Sequence, residues 1–303
     1  EAEVQQALNK AWGFGIRYYD PAAWYGHGLS ELRLVSLLRQ HERKKYFIRT
    51  KVGRVYKPVK SGEKKRVRWI GGQNFEVSYD YSAAGLAASY AQSQLRLGQS
   101  SIDALIIHDL DQEYHRKKFE TYYKQLNRSG LSYLNDLKSS GEISSFGMGI
   151  NALIDFEFFA GSIDLDFFLV AMPYTLLDQK SLTTTMKICV ERGIKIVLGA
   201  PFASGLRTNP NNLQVRYNYG PIPKKVRSRA LELQKCCKDF NVPLLAADLQ
   251  FPLFHPVVCS ILPGARTAWQ VEENVKNFNF VIPKELWVEM KRRYLTLHDA
   301  PVE

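Results

Sequence analysis

The sequence predicts an α/β protein of the (β/α)8 barrel class, a single domain over residues 1–303. Short apolar runs rich in β-branched residues recur down the chain, as strands buried on both faces of a parallel sheet must read. Segments with one apolar face at helical spacing separate them. No linker, low-complexity stretch or repeat other than the strand–helix unit interrupts this alternation.

The strand candidates, in order, are IRYYD (16–20), YFIRTKV (46–52), IDALIIHD (102–109), SSFGMGIN (144–151), LDFFLVAM (165–172), IKIVLGA (194–200) and VCSILPG (258–264). An eighth strand is expected upstream of residue 1, because the sequence opens on a helix pattern. In that first helix Val4, Ala7, Leu8 and Ala11 share a face before Gly13 and Gly15. Ser181 reads as an N-cap, with Leu182, Met186, Cys189 and Val190 as the stripe and Gly193 as the stop. Pro223 opens a helix whose inner face is Val226, Ala230, Leu233, Cys237 and Phe240, and Pro243 opens a short one over 244–251.

Composition narrows the function classes. The chain is 45% hydrophobic and 23% charged, which excludes collagen-like and disordered classes. It has no apolar run of the roughly 18 residues that a membrane helix needs, so no membrane role is expected. The formal charge of +11 comes partly from Lys57, Lys60, Lys64, Lys65, Arg66 and Arg68, opposed locally only by Glu63. This stretch reads as a solvated loop or an attractor of anionic ligands. It lacks the interleaved aromatics of a nucleic-acid platform, since Tyr56 and Trp69 only flank it. Cys189, Cys236, Cys237 and Cys259 have no metal-ligand spacing and read as reduced packing residues. No secretory leader pattern is visible, and a cytoplasmic location without metal is expected.

Barrel chemistry gathers at the C-terminal ends of the strands. Asp20, Lys51 and His108 each stand at such an end, and Tyr25 follows Asp20 in the connecting loop. Each residue alone has an ordinary explanation as a turn, surface or packing group; three different titratable groups on consecutive strands do not. A free tyrosine has a pKa of about 10, too high for a base near neutrality. An ammonium within a few ångströms favours the phenolate, and a carboxylate holds the ammonium charged. Asp20, Lys51 and Tyr25 would form that relay, and His108 would orient a substrate oxygen.

In this order and on these strands, Asp20, Tyr25, Lys51 and His108 resemble the catalytic tetrad of the aldo-keto reductases. The resemblance runs along the chain through GIRYYDPAAWYGHGLSE, TKVGR, DYSAAGLAASYAQSQLRLGQSSIDALIIHD, GMGIN, APFASGL and LPGARTAWQVEENV. IIHDLD, NYGPIPKKV, PLLAADLQFPLFHP and DAPV look like the branch of D-threo-aldose 1-dehydrogenases (L-fucose or galactose dehydrogenases) and pyridoxal 4-dehydrogenases. It implies hydride transfer from a cyclic hemiacetal to NAD(P), giving a lactone, with pyridoxal oxidation or general aldehyde and ketone reduction as alternatives.

The resemblance also implies cofactor residues. Asn151 would bind the carboxamide. Phe202, Ser204, Gly205 and Leu206 would lie along the pyrophosphate, and Gly264, Arg266, Gln270, Glu273 and Asn274 would hold the adenosine end. Many NADP-preferring members carry lysine where Gly264 stands and arginine where Gln270 stands, so NAD is the expected preference. Arg266 leaves NADP accommodated. Pro21, Ala171 and Gly199 depart from the usual threonine, glutamine and tyrosine.

Specificity is expected in the loops 53–82, 109–125 and 207–222, with Trp24, Trp69, Asp109 and Tyr217 as substrate liners. The expected partner is a small aldose or aldehyde, with monomer and homodimer both open. Two other classes compete: an aldolase-like barrel with a Schiff base on Lys51, and a non-catalytic nicotinamide-binding sensor subunit. The first leaves the 262–275 tail without a role, and the second does not need an intact tetrad.

Overall fold

The structure, a computed structural model, describes residues 1–60, 69–171, 174–202, 206, 217 and 220–302. The chain divides into two compact units, Glu1–Ile150 with Leu165–Phe167, and Asn151–Asp164 with Phe168–Glu303.

The first unit holds, in chain order, β1 (Tyr18–Tyr19), β2 (Phe47–Val52), the antiparallel hairpin β3 (Arg54–Pro58) and β4 (Phe75–Tyr79), β5 (Ala104–His108) and β6 (Ser145–Ile150). β1, β2, β5 and β6 pair in parallel in that order, with Tyr18 opposite Phe47, Lys51 opposite Ile106 and His108 opposite Gly149. All five residues of β5 are buried, which is why its sequence is an unbroken apolar run up to His108. The helix Ala83–Leu97 crosses between β4 and β5. Ser82 caps it, its hydroxyl accepting from the Gly85 amide at 3.3 Å, and its apolar face buries Leu86, Tyr90 and Leu97.

The second unit holds β7 (Phe167–Ala171), whose first residue belongs to the first unit, β8 (Lys195–Gly199) and β9 (Val258–Leu262). β8 and β9 pair in parallel, with Leu198 opposite Ile261. Each of the seven runs expected to be strands contains one of these strands. Among the described residues they are seven, against the eight of the expected barrel.

Several local expectations need correction. Ser181 does not cap a helix: the helix runs Thr185–Arg192, with Thr184 at the cap position. Ser181 is wholly buried, and its carbonyl accepts from the Met186 amide at 3.0 Å in a preceding turn. The β-branched threonines 183–185 make that stretch slow to enter a helix. The shorter helix narrows its inner stripe to Met186 and Cys189. Val190, about 100° further round, is 52% exposed. Cys259 is exposed on β9 and not a packing residue, while Cys189, Cys236 and Cys237 are buried. The 53–82 segment, expected only as a loop, contains the hairpin. In the basic stretch Lys57 and Lys60 are exposed, and Lys64, Lys65, Arg66, Arg68 and Glu63 lie outside the described residues. Among the described residues no helix is long and apolar enough to cross a membrane.

Candidate active site

The first unit brings the four expected groups together. Asp20 directly follows β1, Lys51 is the penultimate residue of β2, and His108 ends β5, so parallel pairing sets all three at one edge of the sheet. Lys51 Nζ donates to Asp20 Oδ1 at 3.0 Å and to the Pro21 carbonyl at 3.0 Å. The same Nζ stands 4.9 Å from the centroid of the Tyr25 ring. The Tyr25 ring meets that of His108 edge-on, 6.2 Å between centroids at 88°.

Tyr25 reaches this position through a tight run of turns. The Tyr25 amide donates to the Ala22 carbonyl at 3.0 Å and Gly28 donates to Ala23 at 2.7 Å. Gly26 and Gly28 carry φ of 69° and 97°, in the left-handed region that favours glycine. Buried Ala22 and Ala23 anchor the loop, and the glycine spacing of WYGHG returns the chain into the helix Leu29–Leu38.

Two arginines that the sequence reading did not single out complete the cluster. Arg49 Nε donates to Asp20 Oδ1 at 2.9 Å, so one carboxylate oxygen serves two cations, each with a side chain 1% exposed. Arg54 is 1% exposed and sits beside His108 and Asp109. Its Nη1 lies 2.5 Å from His108 Nδ1, and its Nη2 donates to Asp109 Oδ2 at 2.7 Å. The Tyr81 hydroxyl donates to the His108 carbonyl at 2.8 Å and lies 3.0 Å from His115 Nε2. A signal was present in the sequence: Arg54 follows a glycine at the end of a strand already suspected of chemistry. Its partners depend on the path that Gly53 gives the chain.

Burial dominates the titration of these groups. It pushes His108 well below its ordinary imidazole value, and Arg54 and Lys51 add to the effect against Asp109. It takes His115 down to about 4, with Arg54 acting in the same direction. Burial opposes charge on Asp109, but the neighbouring Arg54 and Lys51 cations outweigh it and hold the carboxyl below the usual range. Burial raises Tyr79 to about 12 and Tyr81 well above the free phenol. The neighbourhood therefore favours a neutral imidazole beside a charged arginine–aspartate pair.

Trp24 and Trp69 stand next to this cluster. Trp69 meets the Tyr25 ring at 6.0 Å and the Trp24 ring at 6.2 Å, both edge-on. Trp24 also packs on the Arg54 guanidinium at 4.8 Å. Asp109, the third liner expected, is engaged by Arg54. The fourth, Tyr217, lies in the second unit and exchanges backbone hydrogen bonds of 3.0 Å with Gly220.

The expected cofactor residues belong to the second unit. Thr267 caps the helix Ala268–Phe278, its Oγ1 accepting from the Gln270 amide at 3.1 Å. The Arg266 amide donates to Gln270 Oε1 at 2.7 Å, and Asn274 Nδ2 reaches the Gly264 carbonyl at 3.5 Å. The Arg266 guanidinium is exposed beside this helix N-terminus and, among the described residues, has no ion-pair partner. A Cβ added at Gly264 would meet nothing within 4 Å. An open glycine, a helix N-terminus and an uncompensated guanidinium suit a phosphate-bearing cofactor tail. Glu273 accepts from Asn277 Nδ2 at 2.7 Å through its backbone carbonyl. Phe202 is half-buried, Leu206 is fully buried and Asn151 is exposed just after β6; Ser204 and Gly205 lie outside the described residues. Among the described residues no group of three His, Cys, Asp or Glu side chains could hold a metal.

The chain resembles known proteins in sequence and in fold. A pyridoxal 4-dehydrogenase of Microbacterium luteolum is 34% identical, over 96% of this chain and 87% of that protein. A D-threo-aldose 1-dehydrogenase of a Pseudomonas species is 33% identical, over 95% of this chain and 87% of that one. Among solved structures, an aldo-keto reductase of Bacillus halodurans in its holo form superposes with a TM-score of 0.73 at 20% identity, covering 99% of this chain and 88% of that one. The glycerol dehydrogenase of Gluconobacter oxydans gives 0.70 at 19% identity, over 98% and 88%. These two likenesses carry the fold, the α/β barrel that the alternation predicts. The sequence pattern of the aldo/keto reductase family matches residues 1–294. The chain belongs to the aldo/keto reductase family, whose members are oxidoreductases that work with nicotinamide cofactors.

Proposed function

We propose that the protein is an aldose 1-dehydrogenase that oxidises the anomeric carbon of a cyclic hemiacetal to a lactone, with NAD preferred and NADP accepted. The observation that carries this reading is the chain from Asp20 through Lys51 to Tyr25, beside His108. The 33% identity to a D-threo-aldose 1-dehydrogenase supports the substrate class.

Bound nicotinamide supplies the acceptor for the hydride that leaves the anomeric carbon. Everything else falls to the chain's own groups. Tyr25 takes the proton of the anomeric hydroxyl as its C–O bond becomes a carbonyl. Lys51 stabilises the phenolate electrostatically, and Asp20 keeps the buried ammonium paired. His108 donates a hydrogen bond that orients the reacting oxygen and stabilises the negative charge it gains as its proton leaves. Trp24 and Trp69 offer apolar faces to a sugar or a pyridine ring. Gly264 and Gln270, in place of lysine and arginine, support the NAD preference; the exposed Arg266 guanidinium, without an ion-pair partner among the described residues, supports acceptance of NADP.

A second reading rests on a separate observation, the 34% identity to a pyridoxal 4-dehydrogenase. Pyridoxal also closes to a hemiacetal, so the same groups would act on it. One screen separates the two: reduced-nicotinamide absorbance with NAD or NADP against L-fucose, D-arabinose, galactose stereoisomers and pyridoxal. The proposal expects growth with at least one aldose, lost in Tyr25→Phe. Turnover of pyridoxal alone would replace it by the second reading, and turnover of none would favour the sensor alternative.

A further inference from the structure

His108 carries two ring nitrogens, and the reaction proposed above needs a specific one of them to bear the proton. A neutral imidazole has one donor nitrogen and one acceptor nitrogen. Guanidinium can only donate, because its nitrogens have no free lone pair and it stays charged at any accessible pH. Arg54 Nη1 lies 2.5 Å from His108 Nδ1, so Nδ1 must be the acceptor and the ring proton must sit on Nε2. Asp109 Oδ2 lies 3.5 Å from that Nε2, too far for a strong bond, which leaves the donor to an arriving oxygen.

We propose that Arg54 is a positioning residue of the proton-transfer site: anchored on Asp109, it locks His108 as the neutral Nε2–H tautomer that donates to the substrate oxygen. The inference rests on the reading of His108 as the oxygen-binding donor, and it adds the device that sets that donor.

The surroundings show why a device is needed. His108 closes β5 with its ring buried, faced by Arg54 at the start of β3, Lys51 on β2, Asp109 next in the chain and the Tyr25 ring. The Tyr81 hydroxyl is spent on the His108 carbonyl. An unsupported imidazole beside Asp109 would have two poor choices. It could turn a donor to the carboxylate and offer the substrate a lone pair, or it could take a second proton and pair with Asp109. The Arg54 fork prevents both, since one nitrogen occupies Nδ1 and the other neutralises Asp109. Asp109 holds a backbone φ of 49°, in the left-handed region, and its carboxylate meets the fork at Arg54 Nη2. Arg54 itself has the Trp24 ring at 4.8 Å and the Tyr79 ring at 5.2 Å, aromatic contacts that help to hold the guanidinium in place.

The test has a spectroscopic arm that needs no substrate. Nitrogen-15 histidine labelling of the whole chain reports all six histidines, and His108→Asn identifies the His108 signals. The wild type should show His108 with unprotonated Nδ1 and protonated Nε2 across the neutral range. Arg54→Met should convert this to a tautomer mixture, and Arg54→Lys, which keeps a cationic donor nitrogen without the planar fork, should restore it only in part. In kinetics, Arg54→Met should lower kcat by roughly 10- to 100-fold with a smaller change in KM, part of the 10²–10⁴ that general acid–base positioning supplies. It should also add an acid limb to kcat/KM, because His108 beside an Asp109 carboxylate no longer held by Arg54 gains a proton. Arg54→Met/Asp109→Asn, which removes the carboxylate's charge together with the guanidinium, repeats the tautomer measurement should the single variant not fold. A protonated Nδ1 in the wild type, or an unchanged tautomer and pH profile in Arg54→Met, would overturn the proposal. The functional reading fails separately, if Tyr25→Phe and His108→Asn both keep full turnover.

Discussion

Asp20 has one oxygen between two buried cations, and that arrangement sets its cost of removal. A surface ion pair is worth about 0–1 kcal/mol, whereas stripping one partner from a buried pair costs roughly 3–5 kcal/mol. Asp20, Arg49 and Lys51 are of the second kind. Asp20→Asn should therefore lose about 3–5 kcal/mol in urea unfolding as well as activity, whereas Tyr25→Phe, at a half-buried position, should lose kcat by roughly 10²–10⁴ with little change in the unfolding midpoint. The contrast between those variants separates the electrostatic support of the relay from its chemistry. Asp20, Lys51 and His108 were legible in the sequence because each ends an apolar run, and the polarity change marks the strand end whatever the tertiary detail. Arg49 and Arg54 were not. A strand-interior arginine and a post-glycine arginine look like surface cations until the sheet register shows what they face.

At the scale of the element, the hairpin Arg54–Pro58 with Phe75–Tyr79 is the part of the first unit that pattern reading missed. Its arms are sixteen residues apart, with lysines and arginines between, so neither arm signals the other. What fixes it is the start: Gly53 has φ of 105°, and a Cβ there would lie 2.4 Å from the Tyr81 ring. Gly53→Ala should cost about 1–3 kcal/mol and disturb Tyr81, the residue that holds the His108 carbonyl; denaturation with activity assays on the same sample checks it. The 262–275 tail behaves differently. It was placed by the family resemblance alone; Thr267 caps its helix Ala268–Phe278, and the space at Gly264 makes it open to change. Gly264→Lys with Gln270→Arg should shift the ratio of kcat/KM toward NADP by at least about 10-fold, the value of one added phosphate contact. Failure to shift would place the phosphate elsewhere than beside Arg266.

Over the whole molecule, pH dependence follows from histidines that burial keeps neutral. Burial lowers His27, His108 and His255, and His115 falls to about 4. The unfolded chain, with ordinary imidazoles near 6.5, binds more protons than the folded one below that value. Stability is therefore complete above pH 6.5 and declines as the pH falls from 6.5 toward 4; melting temperatures across that window should drop steadily, and a flat profile would contradict the burial. The barrel class itself was legible because seven strand runs and the helices between them were each locally consistent, whereas the turn before Thr185–Arg192 was decided by β-branched threonines that a stripe count ignores. The central claim is that a buried, carboxylate-held ammonium makes Tyr25 reactive near neutrality. The most direct measurement is the pH profile of kcat/KM for NADH formation, wild type against Lys51→Met. The account predicts that the rising limb moves at least one unit toward alkaline pH, with activity partly recovered there. An unmoved limb in Lys51→Met would contradict it.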